Sequence, residues 1–374
     1  MRHARWLAPW KDSLEKRAIY HCVSRVVDRR FVFGDEEREH FRMFMRMQEN
    51  FSGCRVLSYC VMSNHFHILL EVPPTEALRL DDDGLLKRLR TVYSEAFVAL
   101  VQKELAEARG EENETHVAEI YARFTYRMHD LSEFMKTLLQ RFTCWFNRTH
   151  ERTGTLWEQR YKSVIVQSGD AARTMAAYID LNPVRAGMVS DPADYRWSSY
   201  GEAIGGRVKD SRLTRSGSMG NGKKARIGLM RACQVRNSND QISNLKEEKN
   251  AYDAERWKEV ARTYRRVMGM ALGRKSGRSE VKKMSAVTKN TEELLASEDN
   301  ETVLPDLGMA KMLRTRVRYF TDGAVIGSKE FVNEAFMAAR ERFSEKRKDG
   351  ARRMRGSGTA ANMLWTVRDL RVRV

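Results

Sequence analysis

The sequence lacks the features typical of membrane proteins, of secreted proteins, and of proteins stabilised by disulfides or cysteine-bound zinc. No apolar run in its 374 residues approaches the roughly 18 residues of a membrane span. Residues 1–6 contain two arginines and a histidine where a secretory signal would have a long apolar core. The five cysteines are scattered and show no CxxC spacing, which argues against a disulfide framework and a cysteine zinc site. We therefore expect a protein of the reducing cytoplasm, with no membrane partner.

Acidic residues are too few to balance the basic ones, and the imbalance is local. The formal net charge is +17. Residues 201–374 carry 38 Lys and Arg against 22 Asp and Glu, whereas residues 1–200 carry 29 against 28. A polyanionic partner, most simply nucleic acid, is the natural interpretation. The alternative is a solvated basic tail without a specific partner.

The length of the chain predicts more than one domain, since an ordinary domain has about 150 residues. The pattern of strands and helices is dense over residues 1–200, interrupted by a charged helical insertion at about 75–128. Residues 201–250 are rich in Gly, Ser and basic residues and predict a flexible linker. Residues 251–374 predict a basic, mainly helical region for DNA binding or protein interaction.

Apolar periodicity predicts the order strand, helix, strand, strand, helix, strand, helix within residues 1–200. This order is typical of a ferredoxin-like split β-α-β domain, an α+β fold in which helices pack on one face of an antiparallel sheet. The other face of the sheet is expected to stay open, as a platform for single-stranded nucleic acid.

The stretch at residues 60–72 predicts a strand with two different faces. Because side chains alternate along a strand, Phe66 and Ile68 point to the core, whereas His65 and His67 point together to the other face. Two adjacent imidazoles are a common start for a metal site. The alternative is two histidines without a role on a half-exposed strand.

Four motifs resemble the REP-associated tyrosine transposases, which belong to the single-tyrosine HUH nucleases. They lie at residues 62–70, 157–163, 178–187 and 196–200, in the order and spacing of that family. The resemblance covers roughly residues 15–200. The charged insertion is longer than the minimal fold of the family requires, which leaves the shape of the DNA-binding surface open.

The resemblance implies roles for four residues of the chain. His65 and His67 would bind a divalent ion, Mg²⁺ or Mn²⁺, with Asn182 as the third ligand. Tyr178 would be the nucleophile that forms a 5′-phosphotyrosine bond with DNA. Since Asn182 follows Tyr178 by four residues, both are expected on one face of one helix. The alternatives are a core tyrosine, and an asparagine that caps the helix before proline.

Further residues are weaker candidates for DNA or metal contacts. Arg160 and Lys162 alternate on a predicted strand and could face a DNA backbone, or solvent. Arg185 could contact phosphate or neutralise the C-terminal dipole of its helix. Glu71 shares the histidine face and could be a ligand or a proton acceptor.

The sequence thus predicts a metal-dependent transposase that nicks and rejoins single-stranded DNA beside hairpins such as REP palindromes. As a DNA-acting enzyme it would associate with the bacterial nucleoid. A replication or mobilisation nickase of the same superfamily, and a catalytically silent protein that binds DNA or RNA hairpins, are the alternatives. Monomer and homodimer both stay open.

Overall fold

The fold was analysed in a computed structural model of the chain. The structure describes residues 6–74, 80–204, 218–233, 252–271, 313, 318–321, 324–355 and 363–368. The sequence also predicts a basic tether at residues 273–289 and a turn at Asp322–Gly323, and both lie outside the described residues.

The described residues form short strands and helices of varied length. The strands are β1 (Ala18–Arg25), β2 (Arg55–Val61), β3 (His65–Val72), β4 (Lys162–Val166), β5 (Val325–Gly327), β6 (Arg352–Arg353) and β7 (Trp365–Val367). The helices are α1 (Asp35–Ser52), α2 (Asp82–Leu89), α3 (Glu95–Gly110), α4 (Glu114–Thr125), α5 (Leu131–Thr149), α6 (Asp170–Asp180), α7 (Asn182–Arg185), α8 (Ser199–Ile204), α9 (Ser218–Ala232), α10 (Ala254–Ala271), α11 (Arg318–Thr321) and α12 (Lys329–Ala338).

The chain divides into two compact units. Residues 10–56 and 61–162 form the first, here called the histidine unit. Residues 1–9, 57–60 and 163–374 form the second, here called the tyrosine unit. The units interleave along the chain, and the boundary near residue 200 stays a prediction.

The histidine unit is built on the antiparallel pair of β1 and β3. Their register runs from Ala18 opposite Val72 to Arg25 opposite His65. The turn that leads into β3 is closed by the amide of Met62, which donates to the carbonyl of His65 over 2.8 Å. The polar pair Ser63-Asn64 in this turn is the sequence pattern that predicts a tight hairpin between β2 and β3.

The core of the histidine unit lies under the apolar face of β3. Phe66 is fully buried and its ring lies 4.6 Å from that of Phe41 on α1. Phe41 in turn meets Phe142 on α5 edge-to-face at 5.2 Å.

Gly53 ends α1 with φ of 74°, a left-handed conformation that glycine adopts at little cost. Asp130 caps α5 by accepting from the amide of Glu133, as predicted.

The charged insertion folds around apolar side chains of its own. Helices α2, α3 and α4 each begin at a side-chain cap, namely Asp81, Ser94 and Asn113. Apolar side chains from the three helices form one buried cluster that also includes Phe51 from α1. The insertion is helical over α2, α3 and α4, and the buried cluster packs it against the end of α1.

The tyrosine unit contains the strands β4 to β7. β5 pairs parallel with β4 and antiparallel with β7, and β6 pairs antiparallel with β7. Ser328 caps α12 by accepting from the amide of Phe331, as predicted. The three strands at residues 325–367 were not predicted, because runs of two or three residues are too short to show alternation.

Part of the segment predicted as a flexible linker is helical. Residues 201–204 belong to α8, and α9 spans Ser218–Ala232. α9 carries the buried side chains Ala225 and Leu229, one helical turn apart. The glycines of this segment concealed that spacing in the sequence.

The fold class predicted from the sequence is confirmed as α+β with a largely antiparallel sheet. The predicted order of elements appears as β1, α1, β2, β3, α5, β4 and α6, with the insertion helices between β3 and α5. Within the described residues, no helix combines the length and the apolar character needed to cross a bilayer.

Candidate active site

The two histidines of β3 lie side by side at the start of the strand. Their ring centroids are 5.1 Å apart. His65 is half-buried and His67 is buried. The alternation of β3 therefore brings both imidazoles to one face, as the sequence predicts.

The ring of His65 is oriented by the turn that precedes it. The side-chain amide of Asn64 donates to the carbonyl of Arg29 over 2.8 Å, which directs its oxygen Oδ1 toward Nδ1 of His65, 2.7 Å away. Because an amide oxygen only accepts, Nδ1 carries the proton and Nε2 keeps its lone pair. Burial, assisted by the charge of Arg25, lowers the pKa of His65 to about 4. The imidazole is therefore neutral at physiological pH, as a metal ligand must be.

The ring of His67 is oriented by a third histidine. Nε2 of His21 on β1 lies 2.9 Å from Nδ1 of His67, and the two rings lie edge to edge and nearly parallel, with an interplanar angle of 10° and centroids 5.1 Å apart. His21 is fully buried. When His67 donates from Nδ1, the lone pair of its Nε2 is available to a cation. Outer hydrogen bonds of this kind orient the histidine ligands of metal ions.

The donor set of the histidine unit thus suits a divalent ion but does not complete a site. No cluster of three or more His, Cys, Asp and Glu side chains able to hold a metal occurs among the residues that the structure describes. A complete coordination sphere would need an amide, water or substrate oxygen.

The face of β3 that bears the histidines is less open than predicted. Leu69 and Glu71 share this face and are buried. The carboxylate of Glu71 is paired with Arg55 over 2.8 Å and with Arg17 over 3.4 Å. Both carboxylate oxygens of Glu71 are thus engaged by the positive charges of two arginines, so the predicted role of Glu71 as a metal ligand is not supported. Among the described residues of β1 and β3 on this face, His65 and Val23 are partly exposed and Arg25 is exposed.

Tyr178 lies near the C-terminal end of α6 and is 1% exposed. The ring of Phe320 on α11 stacks on it at 4.3 Å with an interplanar angle of 21°. The guanidinium of Arg185 lies 4.2 Å from the centre of the tyrosine ring. The described arrangement therefore shields the phenol ring and places a positive charge against it.

Asn182 does not share one helix with Tyr178. α6 ends at Asp180, and Asn182 begins α7. The amide nitrogen of Asn182 donates to the carbonyl oxygens of Tyr178 and Ile179 over 3.2 and 3.1 Å. Proline at 183 ends the helix, so the asparagine satisfies carbonyls left without a helical donor, which is the capping alternative.

Arg185 is committed to contacts within the tyrosine unit. One of its nitrogens donates to Oδ1 of Asn182 and to the carbonyl of Tyr178, each over 2.8 Å, and the other donates to the carbonyl of Leu313 over 2.9 Å. Because the guanidinium is positively charged and donates to Oδ1 of Asn182, it repels a metal ion from the same oxygen. A ligand role for Asn182 and a phosphate contact for Arg185 both require this guanidinium to move.

Asp180 anchors the end of α6. It is fully buried and accepts hydrogen bonds from the hydroxyl of Tyr264 over 2.7 Å, the amide of Tyr200 over 3.0 Å and the hydroxyl of Ser58 over 3.4 Å. Burial raises the pKa of this carboxyl to about 7, although the hydrogen bonds act in the opposite direction. Asp180 therefore positions the helix that carries Tyr178 and titrates near neutrality.

Arg160 and Lys162 are both exposed, but they do not alternate on one strand. β4 begins at Lys162, and Arg160 lies in the bend before it. The preceding Trp157 makes an isolated bridge with Val26. The strand predicted to carry both side chains therefore begins only at Lys162, and the DNA role of the two side chains stays a prediction.

Comparison with known proteins finds a family model that matches the segment containing the histidine strand β3. The family model of IS200-like (Y1) transposases matches residues 15–80. Residues 15–80 carry the signature of an IS200-like transposase. The resemblance to Y1 transposases predicted from the sequence is thereby confirmed for this segment, and a transposase-type activity is supported.

The transposase signature contains β1, α1, β2 and β3, and so all three histidines of the site. It ends before Tyr178. A solved structure of a REP-associated tyrosine transposase bound to a REP hairpin is similar over 56% of this chain and 93% of its own, with 12% identity and a TM-score of 0.34. No curated protein matches.

Sequence reasoning missed two residues of the site, His21 and Arg25. Both lie on β1, on the face that β3 gives to its histidines, because Arg25 is directly opposite His65 and Val23 is opposite His67. The alternation of β1 could have placed them on one face. Only the register of β1 and β3 shows that this is the histidine face.

Proposed function

We propose that the protein is a metal-dependent DNA strand transferase that nicks and rejoins single-stranded DNA beside hairpins. The observation that carries the proposal is the histidine pair of β3, whose two rings are oriented by hydrogen bonds inside the segment that matches the transposase family. The excess of basic residues after residue 200 suits a nucleic-acid substrate.

His65 and His67 would hold the divalent ion, Mg²⁺ or Mn²⁺, through their Nε2 atoms. Such an ion would supply Lewis-acid polarisation of the scissile phosphate. The residues of the chain contribute orientation: Asn64 and His21 fix the two rings, and Arg25 places a positive charge beside His65 for a phosphate oxygen.

Tyr178 would be the nucleophile. Its phenol oxygen forms a bond to phosphorus as the bond to the 3′ oxygen breaks, and the phenol proton is lost while the departing 3′ oxygen gains one. The product is a 5′-phosphotyrosine, which a 3′ hydroxyl can attack in reverse to restore a phosphodiester. The guanidinium over the ring would stabilise the phenolate, which carries a negative charge.

This reaction requires two local movements within the tyrosine unit. Phe320 must leave the face of Tyr178 for a phosphate to approach, and Arg185 must release Oδ1 of Asn182 if that oxygen is to bind the ion.

A catalytically silent protein that binds nucleic-acid hairpins is the second candidate. The burial of Tyr178 and the engagement of Asn182 favour it, since both predicted catalytic groups are occupied by the fold. Incubation with hairpin-flanked single strands and Mn²⁺ separates the two functions. The transferase forms a covalent protein–DNA adduct, whereas the silent protein gives retention without an adduct.

A further inference from the structure

The most exposed large apolar side chain of the described residues lies in a loop that is hydrogen-bonded to the turn before the histidine pair. Phe31 is 82% exposed. It belongs to a loop between β1 and α1, defined here as residues 26–33 and called the Phe31 loop. Exposure of a lone phenylalanine to this degree is unfavourable in water, so the loop must hold the ring outside the core.

The Phe31 loop is fixed at both ends in the core of the histidine unit. Val26 and Phe33 are buried, and the ring of Phe33 meets that of Phe142 edge-to-face at 5.4 Å. Between these anchors, Asp28 and Arg29 have φ of 56° and 55°. Non-glycine residues pay a steric cost in this region, and such strain gathers at functional sites. The ring is thus held out by an anchored, strained turn.

The loop is bonded directly to the turn that precedes His65. The amide of Val26 donates to the carbonyl of Asn64 over 2.9 Å, and the amide of Phe33 donates to the carbonyl of Ser63 over 3.0 Å. The side chain of Asn64 closes the third contact with the carbonyl of Arg29. The residue that orients His65 therefore also orients the Phe31 loop.

The surroundings of the ring are basic. Arg29 and Arg30 precede Phe31 and are exposed, and the exposed Arg25 lies opposite His65 where β1 runs into the loop. Asp28 is the one acidic residue among loop residues 26–33. An aromatic face flanked by arginines matches single-stranded nucleic acid, whose bases stack on aromatic rings while its phosphates pair with cations.

We propose that Phe31 is a stacking platform for an unpaired base of single-stranded DNA next to the phosphate held at the histidine pair. Arg29 and Arg30 contact the flanking phosphates. This inference rests on the proposed function, because the base assigned to Phe31 belongs to the DNA strand that the transferase would cleave. A duplex keeps its bases stacked on each other, so the loop selects unpaired DNA.

The test measures binding of a fluorescein-labelled single-stranded 20-mer by the full chain in EDTA, where cleavage is suppressed, for Phe31→Ala, Phe31→Trp and the wild type. Tyr126→Ala is the matched control, because Tyr126 is a 62% exposed aromatic of the same unit. Phe31→Ala should weaken single-strand binding roughly 5- to 150-fold and leave binding of the matching duplex within twofold. Phe31→Trp should retain affinity, and its added indole fluorescence should be quenched by the strand.

Equal affinity of Phe31→Ala and wild type for the single strand would overturn the proposal, as would an equal loss for single strand and duplex. The thermal unfolding midpoint controls for folding and should not change, since the ring is exposed. Adduct formation by the wild type is scored separately. If the adduct forms and Phe31→Ala binds normally, only the stacking role fails. If no adduct forms but Phe31→Ala loses affinity, only the catalytic proposal fails.

Discussion

Nε2 of His21 lies 2.9 Å from Nδ1 of His67, and both rings are buried. A hydrogen bond between two neutral imidazoles needs a donor on one ring and an acceptor on the other. With His67 as the donor, His21 fixes both the orientation and the tautomer that leave Nε2 of His67 for an ion. The hydrogen bond thus connects the fully buried His21 of β1 to a proposed metal ligand on β3.

His21→Phe should weaken Mn²⁺ binding by roughly 10- to 100-fold, the usual effect of losing an outer hydrogen bond to a metal-bound histidine. Phenylalanine keeps a planar ring but offers no acceptor, whereas His21→Gln offers an amide oxygen and should recover part of the affinity. Calorimetric titration with Mn²⁺ measures the change.

His116→Phe is the control for His21→Phe, because His116 is a partly exposed histidine of α4 in the insertion. It should bind Mn²⁺ as the wild type does. A His21→Phe protein with wild-type affinity, while His67→Ala loses binding, would show that His21 has no orienting role. Normal binding by His67→Ala would instead reject the metal site itself.

The buried carboxyl of Asp180 should make stability depend on pH near neutrality. Its pKa rises from 3.8 to about 7 on folding, so the folded state binds more protons than the unfolded state between these values. The free energy of unfolding should therefore fall as the pH rises from about 4 to 7. Asp180→Asn removes the titration and should remove this loss.

The thermal unfolding midpoints of the wild type and of Asp180→Asn are measured at each pH, and their difference is plotted against pH. The half-buried rings of His65 and His129 have pKa values of about 4 and act in the opposite direction below pH 6.5, but they are common to both proteins. Asp12→Asn, at an exposed site, should leave the profile unchanged. Parallel profiles of wild type and Asp180→Asn between pH 5 and 7 would refute the assignment.

The sequence was sufficient for the elements that have long, regular patterns. α1 and α5 show clear amphipathic spacing, and β3 alternates polar and apolar residues from His65 to Ile68, so these elements and the two faces of β3 were predicted correctly. The open histidine face was wrong because burial there comes from partners on other segments. Arg17 and Arg55, which pair with Glu71, are distant from it in the sequence.

The contacts around Tyr178 could not be predicted for the same reason. Phe320 stacks on the ring from a segment 142 residues away in the numbering. Arg185 was expected at a phosphate or a helix dipole, but one of its acceptors is the carbonyl of Leu313, 128 residues away in the numbering. The sequence spacing of Tyr178 and Asn182 suggested one continuous helix, but proline at 183 divides it.

Phe320→Leu should expose the ring of Tyr178 without creating a large cavity. An aromatic pair contributes about 0.5–1.5 kcal/mol beyond burial, so its loss should raise the exposed population of Tyr178 roughly two- to tenfold. Nitration of tyrosines followed by peptide mass spectrometry measures this exposure directly, and adduct formation should rise with it.

Phe336→Leu is the matched control for Phe320→Leu, since Phe336 is an equally buried ring of the same unit that packs on Phe343. It should leave the nitration of Tyr178 at the wild-type level. Equal protection of Tyr178 in the Phe320→Leu and wild-type proteins would show that Phe320 does not control access to the phenol.

The covalent capture of DNA by Tyr178 tests the central claim most directly. A hairpin-flanked single strand labelled at its 3′ end is incubated with Mn²⁺ and the wild-type, Phe320→Leu or Tyr178→Phe protein, and labelled protein is resolved on a denaturing gel. The account predicts label on the first two proteins and none on Tyr178→Phe, since a 5′-phosphotyrosine retains the 3′ fragment. Labelled Tyr178→Phe protein, or no label on any of the three, would contradict it.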